Sequence, residues 1–199
     1  MKQLLVMVLF VSTAITADAQ LSYGIKAGVN IAKISLSNDA YTVNSKIRLY
    51  GGVLANYKVS DKASVQAEVL YSGEGTKEKL NSGSSGEIKK AYLQIPVLFQ
   101  YDIAEGFYAE AGPQLGFLLS SKEEFNSVNN DIKKYYKSKD LRIPVGVGYK
   151  FNGPLTGFGI NARYSFSLSK INKTTVLGGD LKNKVFSVGL QYSLSQLKK

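Results

Sequence analysis

Leu21-Ser22-Tyr23-Gly24-Ile25-Lys26-Ala27-Gly28-Val29-Asn30-Ile31 alternates without a break: every odd residue is apolar, and the even ones are Ser, Gly, Lys and Asn. Successive side chains of a strand point to opposite faces, so this stretch reads as a β-strand with one apolar and one polar face. The alternation returns along the chain and predicts eight strands, at about 21–34, 46–58, 63–73, 89–101, 107–119, 140–151, 157–169 and 184–194. Each is long enough to cross a bilayer when tilted, for which roughly 9–11 residues suffice. The connections alternate in length. Val59-Ser60-Asp61-Lys62, 102–106 and 152–156 are short turns, whereas 35–45, 74–88, 120–139 and 170–183 are long and polar. Short turns at one end and long loops at the other are the layout of an outer-membrane barrel.

The two faces differ in kind. One carries sets such as Ile47, Leu49, Val53 and Tyr57, or Leu93, Ile95, Val97, Phe99 and Tyr101, with no charge in these sets. A Lys or Arg at the midplane of a lipid-facing wall would cost about 2–4 kcal/mol. The other face carries Lys26, Arg48, Glu68, Glu110, Arg142 and Arg163 among many glycines. Charges of both signs at mid-strand suit a crowded interior, with glycines making room for long side chains from the opposite wall. A soluble sandwich could share the alternation. Aromatics at the short-turn ends of the apolar face (Tyr57, Tyr101, Phe107, Tyr149, Phe151 and Phe158) argue instead for an interfacial girdle. The expected fold is all-β: an eight-stranded antiparallel up-and-down transmembrane barrel. The six interior charges are expected to form a structural network, because a buried charge must be paired.

Residues 1–19 read as a cleaved signal peptide: Lys2, then an apolar run from Leu4 to Ile15, then the small-x-small site Ala17-Asp18-Ala19. Residues 20–199 then form one barrel domain. The chain has no Cys, so disulfides and thiolate metal sites are excluded. Its net charge of +10 is spread through loops and mixed with acids, as in Lys77-Glu78-Lys79 and Lys122-Glu123-Glu124. That distribution points to outer-membrane lipid and lipopolysaccharide as the charged partners, and not to nucleic acid.

Three strand motifs resemble one family. Ala91-Tyr92-Leu93-Gln94-Ile95-Pro96-Val97-Leu98-Phe99-Gln100-Tyr101, Ala111-Gly112-Pro113-Gln114-Leu115-Gly116 and Tyr23-Gly24-Ile25-Lys26-Ala27-Gly28-Val29-Asn30 are similar, in order and spacing, to strands of the Bacteroidetes outer-membrane β-barrel family called PorT-like. The resemblance implies an eight-stranded outer-membrane barrel and carries over no secretion role. Two features depart from the usual pattern. The chain continues past Tyr192 to Leu197-Lys198-Lys199, where such barrels often end on an aromatic. Pro96, Pro113 and Pro144 fall inside predicted strands, where a missing N–H predicts local irregularity.

No catalytic chemistry is legible. The chain has no His to act as a base, and a Ser without one is a poor nucleophile. Neither a metal nor a cofactor site is expected. Eight strands leave an interior about filled by side chains, which predicts a closed lumen. The loops remain as contact surface, and Phe125, Tyr135 and Tyr136 among lysines are the candidate residues for a protein or glycan partner. The residues therefore favour a non-enzymatic structural or interaction protein. A narrow pore or small-ligand transporter and an accessory part of a secretion or surface machinery stand as alternatives.

Overall fold

A computed structural model describes residues 20–36, 43–79, 85–125, 128–173 and 180–194. The signal segment 1–19 lies outside the described residues. The strands are β1 (Leu21–Leu36), β2 (Val43–Lys58), β3 (Ala63–Lys79), β4 (Ser85–Asp102), β5 (Phe107–Ala111), β6 (Gln114–Phe125), β7 (Val128–Asp131), β8 (Lys139–Lys150), β9 (Phe158–Ser167) and β10 (Leu181–Ser193). All pairings are antiparallel. β3 closes onto β4 and β10 onto β1, so the sheet is a ring. β5 and β6 share one position between β4 and β8, which makes eight walls, and β7 folds back on the far end of β6. Closure leaves no open edge, the one arrangement in which strands can cross lipid.

The faces divide as the alternation requires. Outward Leu49, Val53, Val97, Val147 and Leu190 are exposed, whereas inward Gln66, Glu68, Gln100, Arg142 and Arg163 are buried. Tyr23, Tyr57, Tyr101, Phe107 and Phe158 ring the short-turn end on the outside. Phe107 meets Tyr149 at 4.6 Å, and Phe158 meets Tyr192 at 4.6 Å. Ala91 departs from the apolar outer set: it is buried beside a register shift between Ala91 and Tyr92.

The irregularity expected at the prolines is localised. Gly112 and Pro113 separate β5 from β6, with Pro96 on one side and Pro144 on the other. The freed groups find partners across the break: Val97 N–H donates to the Pro113 carbonyl at 2.9 Å and Gly112 N–H to the Pro144 carbonyl at 3.3 Å. The three prolines thus share one interruption on neighbouring walls, where an absent N–H costs least.

Two of the long polar connections are shorter than the sequence predicts. β3 runs on to Lys79 and β4 begins at Ser85, so most of 74–88 is strand. β6, β7 and a short 3-10 turn at Lys133–Tyr135 occupy most of 120–139.

Candidate functional site

The lumen is built in layers. At the short-turn end Asn56, Gln66 and Gln100 line a cavity of about 700 Å³. The Asn56 amide donates to Gln100 at 3.0 Å, and Gln66 donates to Glu68 at 2.6 Å. The first ionic layer follows. Arg163 of β9 holds Glu68 of β3 through both Nη atoms, at 2.9 and 3.0 Å, and Glu110 of β5 through Nε at 2.8 Å. Lys26 of β1 adds a bond to Glu68 at 3.1 Å. With the Asn161 amide turned to satisfy both of its ends, Asn161 accepts from Lys26 at 3.1 Å. Two cations and two carboxylates cancel here, so no net charge is buried.

A second layer repeats this geometry closer to the long loops. Arg142 of β8 grips Glu74 of β3 with both Nη atoms, at 2.7 and 2.9 Å, and Asp140 with Nε at 2.7 Å. Asp140 accepts from the Asn183 amide at 2.8 Å and from the Ser167 hydroxyl at 3.0 Å. Between the two layers Asn30, Ser72 and Ser187 bond to one another, and only about 20 Å³ is left empty. Above, Tyr92, Leu118, Tyr136 and Ile171 pack as an apolar cap, with the Lys90 ammonium 3.7 Å from the Tyr136 ring centre. The segment that carries Tyr136 crosses the mouth and bridges to Asn172.

Five of the six charges expected inside, Lys26, Glu68, Glu110, Arg142 and Arg163, are in these two layers. Arg48 is not. An extra residue on β2 between Ser45 and Tyr50 shifts its register against β3. Arg48 then lies across Gly73 and Gly75, on the side opposite to inward Ser72, Glu74 and Thr76. It forms no ion pair among the described residues. Glu74 and Asp140, the partners of Arg142, add to the expected set; the even-numbered run Ser72, Glu74, Thr76 signals the first, and the even row of β8 that holds Arg142 signals the second.

The interior glycines also have another use. Tyr50 packs against Gly28 and Gly189, and Tyr108 against Gly148, so these glycines admit phenol rings more than Arg or Lys.

Of the loop candidates, Tyr135 is exposed, with Lys134 5.0 Å over its ring. Tyr136 is buried in the cap and is no surface contact. The Phe125 side chain lies outside the described residues. At the same rim, Glu87 accepts hydrogen bonds from Lys46 and pairs with Lys89, which also reaches Glu124. Partial burial would raise the Glu87 carboxyl, but the Lys46 hydrogen bond and the two ammonium charges outweigh it and hold it below the usual carboxylate value.

A family model described as outer membrane protein beta-barrel domain matches residues 16–173. Among solved structures, the attachment invasion locus protein Ail of Yersinia pestis aligns at TM-score 0.54 and 16% identity, over 88% of this chain and 99% of that one. Neisserial surface protein A aligns at TM-score 0.53 and 14% identity, over 85% and 96%. No curated relative matches the chain. At these identities the structural likeness is one of fold, and the shared fold is the small outer-membrane barrel.

Proposed function

As a member of the outer membrane protein beta-barrel domain family, the chain is a small integral protein of the bacterial outer membrane, and we propose that it works from its surface and not through its lumen. The observation that carries this reading is the pair of Arg–carboxylate layers with about 20 Å³ between them. A hydrated ion would have to break fully desolvated charge pairs to pass, and breaking one such pair costs about 3–5 kcal/mol. The role is then structural or one of interaction, non-catalytic, with the rim around exposed Lys133, Lys134 and Tyr135 as the contact surface for a protein or glycan. The strand motifs at 91–101 and 111–116 support a place in the PorT-like branch of such barrels.

Planar-bilayer recording of the purified barrel at neutral pH tests the proposal. The expected trace shows no stable opening. A steady large conductance would overturn the closed lumen and favour the pore or transporter reading. Co-purification of a stoichiometric partner complex from membranes would move the role to an accessory part of a secretion or surface machinery.

A further inference from the structure

Three lysines stand together on the outside of the barrel. Lys33 of β1 and Lys184 of β10 are direct ladder partners, and Lys182 lies two residues on, opposite Ser35. All three belong to the outward rows of their strands, in step with exposed Ile31 and Phe186. Like charges placed directly opposite on one face repel, and an ordinary surface pairs or separates them. None of the three has a carboxylate partner among the described residues. Asp180, the residue before β10, pairs with Lys170 at 3.3 Å.

Their height is specific. Ten residues separate Lys33 from Tyr23 of the aromatic girdle. At about 3.4 Å per residue and a tilt of about 40°, that step rises about 25 Å, the thickness of the lipid-facing band. The lysines therefore stand where the outer leaflet's headgroups begin. Just below them Tyr164 and Phe166 of β9 face outward, and Phe166 is the ladder partner of Lys184. These aromatics and Ser35, Asp180, Lys182 and Lys184 border a surface hollow of about 350 Å³, and Lys33 stands beside it as the ladder partner of Lys184.

We propose that this hollow is a site for the phosphate of an outer-leaflet glycolipid. Lys182 and Lys184 bind the phosphate from the wall of the hollow and Lys33 adds its charge from beside it, while Tyr164 and Phe166 lie against the sugar and the upper acyl chains. The chemistry required is an anion fixed at a set height above hydrocarbon, which a headgroup supplies and a free ion does not. Each lysine beside an anionic headgroup adds about fivefold to affinity.

The mature chain, refolded in detergent micelles, is titrated with bisphosphorylated lipid A and with the same glycolipid lacking phosphate, and the bound lipid is counted by native mass spectrometry. The expected result is a preference of at least tenfold for the phosphorylated form. K33Q/K184Q is expected to lower that affinity by about ten- to thirtyfold, and the charge-matched K58Q/K62Q at the short-turn end to leave it within twofold. All three proteins should show the same cold-to-boiled gel shift, because the substituted side chains lie on the surface. Equal binding of both glycolipids, or equal losses in the two variants, would overturn the site. Competition by millimolar inorganic phosphate would overturn the lipid as its ligand and leave a free-anion site.

Discussion

Arg163 is held by two carboxylates from two other walls, and each of its hydrogen-bonding nitrogens is used. A guanidinium is suited to this task because its donors form a rigid fork that matches a carboxylate edge. Arg163→Met would leave Glu68 and Glu110 with only Lys26 to balance them. The expected cost is about 3–5 kcal/mol, the usual result of stranding a buried charge. Urea unfolding in lipid vesicles measures it, and the cold-to-boiled gel shift confirms that the variant still forms a barrel. Arg48→Met is the contrasting case: with no ion pair and partial exposure, it is expected to stay within about 0.5 kcal/mol. Equal losses in the two variants would mean that the interior layer has no special weight.

Among the elements, β3 and β4 show how far alternation can be read and where it stops. Below Tyr71 the odd positions of β3 are apolar, and its strand is plain in the sequence. Beyond it those positions are Gly73 and Gly75, which give no hydrophobic signal because Arg48 and Lys46 of β2 cover them. The strand therefore continues without a hydrophobic signal, so the sequence places Glu74 in a loop where the structure makes it a partner of Arg142. Tyr136 differs from its sequence pattern for a similar reason: an aromatic among lysines has the pattern of a surface site, but its chain segment packs into the apolar cap. The walls, their facing and five of the six interior charges needed only local pattern. The cap and the β2 bulge depend on contacts between segments far apart in sequence.

The same extensions join β2 to β4 through Lys46 and Glu87 above the lipid band. The Glu87 carboxyl sits below its unfolded value of about 4.3. Its contribution is thus fully present above that value and is lost as the pH falls through the lower, folded one. Hydrogen exchange of the 85–90 amides, corrected for intrinsic rates, is expected to lose protection below about pH 4 in the wild type and to show no such step in Glu87→Gln. Parallel profiles would exclude Glu87 as the group responsible.

For the whole molecule, closure and filling are separate achievements. The ladders from β1 round to β10 satisfy the backbone, and the two arginine layers hold the inward carboxylates Glu68, Glu110, Glu74 and Asp140 in ion pairs. The ends are unequal: an apolar cap at the long loops and the 700 Å³ hollow at the short turns. The barrel is therefore an inverted cup, and the side from which a small reagent can enter is fixed by the fold. Cysteine is absent from the natural chain, so one introduced at Asn56 would be unique. A polar maleimide added to intact cells should leave Cys introduced by Asn56→Cys unlabelled, and the same reagent admitted to the periplasm should label it. Labelling from both sides would mean that the cap leaks. The molecule thus carries its own sidedness marker, by which its orientation in any bilayer can be read without an antibody or a ligand.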